Sequence, residues 1–161
     1  MIDELPTRLA FTIAAFLCLA TGLSVLSLMG GDAVVNAADD LAGHLARQLD
    51  LVGAVDGTGG FQGGVGIPGA FGLPPDLAGS PYRVEFRSLE VRVVAGSHAA
   101  AVPLRTLVHP FVPTHSSYTS EDLRTLDRVA LEIRVGQRFV VDRAERIVDG
   151  EAIYLTFVHL P

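Results

Sequence analysis

The side chains that could do chemistry are concentrated in one short stretch of the chain. Residues 109–118 read HPFVPTHSSY, so His109 and His115 stand on either side of a proline-rich loop, and serines follow the second imidazole. Imidazoles bind transition metals, and a histidine beside a serine can act as the base for a nucleophile. Of the histidines outside this stretch, His98 and His159 are two further candidates.

The spacing supports neither a metal site nor a nucleophile. No two histidines have the helix or strand spacing that would aim two imidazoles at one ion, and no cysteine or nearby carboxylate joins them. Ser116, Ser117 and Tyr118 beside His115 are typical of a turn. We therefore expect no metal, no cofactor and no enzymatic activity, unless folding brings the scattered histidines and carboxylates together.

The element that would place these residues in the cell is an apolar stretch at residues 9–29. At about 1.5 Å per residue a helix of this length covers roughly 31 Å, close to the thickness of a bilayer's hydrocarbon core. It predicts a transmembrane or filament-core helix behind a short leader, residues 1–8. The expected localisation is the cell membrane, with an extracytoplasmic domain, or an extracellular filament.

The apolar stretch is rich in small residues, which allow helices to approach closely. We expect helix packing in an oligomer or filament at Ala10, Ala14, Ala20, Gly22 and Ser24. The alternative is an ordinary anchor that these residues simply fill. The lone Cys18 has no partner for a disulfide within the chain.

Residues 30–56 show a second helical pattern, with apolar residues three and four positions apart and charged residues between them. Leu41, Leu45 and Leu49 belong to the apolar stripe and are further candidates for helix packing between subunits. The pattern predicts an amphipathic helical stalk. Residues 57–80 are rich in glycine and proline and predict a linker.

From residue 81 to residue 161 the hydrophobic period changes to two, as in half-buried strands. Asp149-Gly150 predicts a type I′ hairpin, and Ser120 is the predicted cap of a short helix. The expected fold class is α+β: a long N-terminal hydrophobic and amphipathic helix followed by an antiparallel, β-sandwich-like domain.

Charge excludes one class of partner. The net charge is −6, and the chain has no basic patch, so we expect no nucleic acid to bind. All 12 basic residues are arginine, a composition that hints at an archaeal or actinobacterial origin.

The order of these segments resembles that of type IV pilin-like proteins, in particular the small archaeal pilins. The resemblance is carried by the leader with Glu4, the small-residue apolar helix, its amphipathic extension and a β-rich domain without disulfides. It implies that the hydrophobic helix packs in a filament core, with Glu4 neutralising the terminal amine of a neighbouring subunit.

Two functions are therefore expected. The first is a structural subunit of a cell-surface, pilus-like filament, a homo-oligomer that assembles through its N-terminal helix. The alternative is a single-pass, membrane-anchored β-sandwich that acts as a binding module or stator-like adaptor and contacts an envelope or surface-layer component.

Overall fold

A computed structural model of the chain describes residues 30–67 and 72–161. Among these residues the fold is mostly β, with ten strands in two sheets and two helices. The predicted α+β class, a long helix followed by a separate sandwich, is therefore wrong. The physical reason is that the amphipathic helix does not stand apart as a stalk, because its apolar stripe is buried in the core that the strands form.

Helix α1 comprises residues 30–53, and helix α2 comprises Ser120–Leu126. By internal packing the chain divides after Ala33, and the residues from Val34 onward form one unit, the β module. Its strands are β1 (Gly59–Val65), β2 (Gly72–Leu73), β3 (Tyr82–Arg87), β4 (Glu90–Ala95), β5 (His98–Pro103), β6 (Val108–His109), β7 (Ser117–Tyr118), β8 (Leu131–Arg134), β9 (Arg138–Val148) and β10 (Glu151–His159).

Helix α1 is held in the β module by apolar residues spaced three or four apart. The buried members of this stripe are Ala38, Ala42, Leu45, Ala46 and Leu49. Asp39, Asp40, His44 and Arg47 on the other face are exposed. Near the end of the helix, the Asp50 carboxylate accepts hydrogen bonds from the backbone N–H groups of Arg105 and Thr106 at 2.9 and 3.0 Å, which fixes the helix to the loop after β5.

The four-stranded sheet has the order β5-β4-β3-β8, and all its neighbouring strands are antiparallel. A two-residue turn, Gly96-Ser97, joins β4 to β5. Gly96 has a φ of +59°, as the first central residue of a type II′ turn requires. Alternate residues of β3 and β4 are buried, so the strands predicted from the period of two are confirmed.

The six-stranded sheet has the order β2-β1-β9-β10-β6, and β7 pairs with the far end of β9. Its centre is the long hairpin of β9 and β10, in which Val148 pairs with Glu151. Between them Asp149 and Gly150 have φ values of +51° and +91°, as both central residues of a type I′ turn require. The hairpin predicted from this dipeptide is confirmed.

Strand β1 lies where the glycine-rich composition predicted a linker. It pairs with β9 from Gly59 to Gly64. A Cβ atom on Gly60 would lie 2.2 Å from the carbonyl oxygen of Val141, and one on Gly63 would lie 2.4 Å from the ring of Phe139. In an isolated chain, glycines give a flexible backbone. Here the absence of their side chains lets strand β9 and the ring of Phe139 approach the β1 backbone closely.

Both sheets and α1 contribute to one main core. Phe86 of the four-stranded sheet and Phe139 of the six-stranded sheet have ring centroids 5.3 Å apart, so the sheets face each other as in a β-sandwich. The other face of the β9–β10 hairpin covers a second core, formed by Tyr118, Leu123, Val148, Leu155 and Phe157.

The predicted transmembrane helix and the localisation that rested on it require correction. Within residues 30–67 and 72–161, no helix is both long enough and apolar enough to cross a membrane. The apolar stretch at residues 9–29, from which both were predicted, lies outside the described residues. Placement at the cell membrane or in a surface filament therefore has no support in this structure.

Candidate functional site

His109, the first candidate from the sequence, lies on β6 and is buried. Its Nδ1 atom lies 2.9 and 3.1 Å from the two carboxylate oxygens of Asp127, the C-cap residue of α2. A carboxylate accepts a hydrogen bond at this distance, so Nδ1 is the donor. A carboxylate also orients the histidine base of the Ser-His-Asp enzymes in this way.

The other ring nitrogen of His109, Nε2, is not placed to act as a general base. Nε2 is buried and has no hydrogen-bond partner among the described residues. The ring centroids of Phe157 and Phe111 lie 5.6 and 5.9 Å from that of the imidazole. A cavity of about 480 Å³ beside Asp127 is not lined by His109. Since a general base must reach the proton that it abstracts, this pair is better suited to holding α2 against the sheet.

The second half of the HPFVPTHSSY stretch also builds structure. The exposed ring of His115 packs edge-on against Tyr118 with centroids 5.9 Å apart, and its backbone N–H donates to the Tyr118 hydroxyl at 3.1 Å. Ser117 pairs with Ile147 of β9 as part of β7. In the part of the chain that the structure describes, no group of three or more histidine, cysteine or acidic side chains is placed to hold a metal ion.

Polar residues at the start of α2 are used as caps. Thr119 is the N-cap, one residue before the predicted Ser120, and it exchanges hydrogen bonds with Asp122 in a capping box. The hydrogen bonds from the backbone and side chain of Thr119 lower the pKa of the Asp122 carboxyl. Ser120 donates from its backbone N–H, at 3.1 Å, and from its hydroxyl to Asp149, which ties the helix to the tip of the β9–β10 hairpin.

The two outlying histidines are also paired within the module. Nε2 of His98 lies 3.5 Å from a carboxylate oxygen of Asp39, an ion-pair distance without hydrogen-bond geometry. His159 has Nε2 3.2 Å from Asp142 and Nδ1 2.7 Å from the carbonyl oxygen of Leu160. These contacts join elements that are already packed together, and they assemble no catalytic group.

A second candidate is a backbone edge. β5 pairs with β4 on one side only. Across the two-residue turn Ala95 and His98 form a hydrogen-bonded pair, and hydrogen-bonded pairs alternate along an antiparallel ladder. The peptide groups of Ala99 and Ala101 therefore point away from β4. No other backbone group of the described residues pairs with them.

The side chains of β5 leave this edge uncovered. Ala99 and Ala101 are exposed and carry only methyl groups. Charged residues, which commonly protect an edge from pairing, are absent from the strand, whose sequence is HAAAVP. Pro103 stands at the end of the edge, where a proline is tolerated because it has no N–H to donate to a ladder.

β8, the opposite edge of the same sheet, is protected. It has four residues, and two of them are the charged Glu132 and Arg134. The backbone N–H of Arg134 donates to the side-chain oxygen of Gln137 at 2.8 Å. Of the described strands longer than two residues, β5 and β8 are the ones unpaired along the whole of one side, and only β5 has no formal charge.

The face of the four-stranded sheet that points away from the core carries its charges in matched pairs. Arg92 lies 2.9 Å from Glu90 on β4, and Arg83 lies 3.1 and 3.5 Å from Glu85 and Glu132. Exposed pairs of this kind add little to stability. Their effect here is that no uncompensated charge stands next to β5 on this face of the sheet.

The predicted packing residues fall into two groups. Glu4, Ala10, Ala14, Ala20, Gly22 and Ser24 lie outside the described residues. Leu45 and Leu49 are fully buried in the main core, and Leu41 packs against it in part, so these three leucines serve the module's own packing. The edge of β5 was not predicted, because its one signal in the sequence is an alanine run between a Gly-Ser turn and a proline.

In comparisons with known proteins the chain matches no family model, no curated protein and no solved structure. Nothing in them identifies a type IV pilin. The resemblance to pilin-like proteins, and the filament assembly that it implies, stay predictions from the sequence.

Proposed function

We propose that this protein is a non-enzymatic binding module that takes up an extended strand of a protein partner along β5. One observation carries the proposal: the peptide groups of Ala99 and Ala101, which no described residue pairs, lie on a strand without Asp, Glu, Lys or Arg and carry only methyl side chains. In strand addition, backbone hydrogen bonds of such an edge supply affinity, and the neighbouring side chains supply selectivity. The reactive side chains around His109 have structural partners and need no role in it.

The edge suits a neutral, extended segment. Two peptide groups offer two donors and two acceptors, and four hydrogen bonds at about 1 kcal/mol each correspond to a dissociation constant of about 1 mM. The methyl groups of Ala99 and Ala101 leave room for larger residues in the added strand. Arg92 and Glu90, which pair across the ladder with Ala101 and Pro103, neutralise each other.

The proposal is tested by adding a capped hexapeptide of alternating valine and threonine to the full chain and following backbone amides by NMR. The Ala99 and Ala101 amides are expected to shift and to become protected from exchange near about 1 mM peptide. The amide of Arg134, on the protected edge, is the internal reference and is expected not to respond.

The matched variant is Ala101→Pro, which removes one edge N–H without touching the hydrogen bonds to β4. It is expected to weaken peptide binding by about fivefold or more. Shifts confined to another surface, or equal binding by the variant, would show that β5 is not the site.

A further inference from the structure

We infer that the strand that occupies β5 is β5 of a second copy of this chain, paired antiparallel about a two-fold axis at Ala100. The inference rests on the proposed function and names the partner for that same edge. In the resulting dimer the two four-stranded sheets join into one sheet of eight strands.

The positions of the free peptide groups select this register. With the axis at Ala100, Ala99 of each copy lies opposite Ala101 of the other, and the two pairs form four hydrogen bonds. Pro103, which has no N–H to donate, then falls outside these bonds. An axis at Ala101 would instead place Pro103 opposite Ala99 and put the missing donor inside the ladder.

The side chains of β5 are compatible with a copy of themselves. Across the axis Ala100 meets Ala100 of the second copy as a non-hydrogen-bonded pair, the closer of the two antiparallel pairings, with Cα atoms about 4.5 Å apart. Methyl groups fit at this distance. At the ends of the pairing, Val102 of one copy lies opposite His98 of the other on the same face, a β-branched side chain against an aromatic ring, which is a favourable cross-strand pair.

Charge also permits self-pairing at β5. On the outward face of the sheet, the charges nearest to β5, Arg92 and Glu90, are paired with each other at 2.9 Å. On the other face, the Asp39 carboxylate lies 3.5 Å from Nε2 of His98. In the joined sheet the two β4 strands are three strand spacings apart, about 14 Å, which exceeds the Debye length of about 8 Å at physiological ionic strength. Self-pairing at β8 is opposed because the backbone N–H of Arg134 already donates to the side-chain oxygen of Gln137, and the Arg134 carbonyl accepts from the Gln137 N–H.

The dimer is tested by sedimentation velocity of the full chain over a range of concentrations. We expect a monomer–dimer equilibrium that shifts toward dimer as salt is added, because each copy carries a net charge of −6. Ala101→Pro and Ala101→Lys are expected to raise the dissociation constant at least tenfold. Leu89→Lys, which adds the same charge at an exposed turn of the same sheet, is the matched control and is expected to dimerise like the unaltered chain.

The register is tested by single cysteines in a Cys18→Ser background under mild oxidation. Ala100→Cys is expected to form a disulfide-linked dimer, since residue 100 meets its own copy within disulfide range. Ala101→Cys is expected to cross-link poorly, because its two copies lie diagonally, about 7–8 Å apart. If Ala101→Pro fails to fold, as judged by circular dichroism, the dissociation constant of Ala101→Lys is compared with that of the unaltered chain instead.

The outcomes separate this inference from the proposed function. A chain that remains monomeric at every concentration but binds the valine–threonine hexapeptide at β5 overturns the self-pairing and leaves the binding module. A monomeric chain that also fails to bind the peptide removes both. A dimer that Ala101→Pro and Ala101→Lys leave unchanged forms through another surface and overturns the inference.

Discussion

The region of residues 109–127 and strand β5 differ in whether their hydrogen-bonding groups are paired within the module. The first holds His109, His115 and a run of serines and threonines, and most of its polar groups are paired within the module. The second holds three consecutive alanines, yet it leaves peptide groups without partners among the described residues. Exposed peptide groups without a described partner thus mark a better candidate for binding than reactive residue types do, because an added strand can reach them, whereas Nε2 of His109 is buried.

The two regions also differ in how much the rest of the module depends on their interactions. Asp127 ends α2, and its carboxylate accepts the hydrogen bond from His109 on β6, so removing either partner would loosen the attachment of the helix. The edge of β5 supports no other described element in this way. Substitutions in the two regions are therefore expected to affect different properties: stability in the first and association in the second.

The largest effect on stability is expected from His109→Ala. The substitution removes a buried ring from between Phe111 and Phe157 and leaves the Asp127 carboxylate without its partner, which should lower the free energy of unfolding by about 3 kcal/mol. Urea unfolding measures it. His115→Ala, at an exposed position, is the control and should change the free energy by less than about 0.5 kcal/mol.

This prediction also tests the contrast directly. The folded His109→Ala variant should bind the hexapeptide at β5 as the unaltered chain does. If it kept its stability but lost peptide binding, the functional site would lie around His109, and the comparison would be reversed.

A smaller effect is expected from Tyr82→Phe, which examines the sheet that carries β5 without altering its edge. The Tyr82 hydroxyl donates to the carbonyl oxygen of Pro74 at 2.6 Å, and burial, followed by the charge of Asp76, raises the pKa of Tyr82 above its ordinary value. Loss of the hydrogen bond should cost about 1 kcal/mol at pH 7.

The pH dependence of Tyr82→Phe has a definite sign. Since the folded pKa of Tyr82 is raised, its contribution to stability is complete below the ordinary pKa of about 10 and is lost as the pH rises above that value. Urea unfolding between pH 7 and pH 11 should show the variant approaching and then exceeding the unaltered chain. A constant difference would contradict burial of the neutral hydroxyl, and peptide binding at pH 7 should stay unchanged.

The smallest effect is expected from Asp122→Ala, in the capping box of α2. Because the pKa of Asp122 is lowered in the folded chain, its contribution is present above the ordinary carboxyl pKa of about 3.9 and is lost as the pH falls through the folded value. Thermal unfolding should show a variant that is less stable at pH 7 and equal to the unaltered chain near pH 2. Glu121→Ala, one residue away and also exposed, leaves the capping box of Thr119 and Asp122 intact and is the matched control.

The elements that were predicted correctly depend on local physics. Asp149-Gly150 forms a type I′ turn because these residues tolerate a positive φ, and the alternation in β3 and β4 follows from one buried face. The helix after Thr119 was predicted one residue late, since Thr119 and Ser120 are both good caps and only the Asp122 partner distinguishes them.

Predictions about β1 and α1 differ from the structure because they depended on neighbours. The glycines of β1 predict a linker, because the sequence does not show that β9 and Phe139 pack against them. The stripe with Leu45 and Leu49 fits a partner subunit as well as it fits a sheet, because hydrophobic burial is not directional. Periodicity predicts that such a stripe is buried, without specifying what covers it.

The amino-acid sequence by itself determined the Asp149-Gly150 hairpin turn, the strands with a period of two and the apolar stripe of α1. Only the tertiary structure decided that His109 meets Asp127, that α1 packs with the sheets, and that β5 rather than β8 has the uncharged edge. The physical reason is that hydrogen-bond satisfaction is a property of pairs. A residue carries the same donors and acceptors in every fold, and whether they are paired depends on the chain that lies beside it.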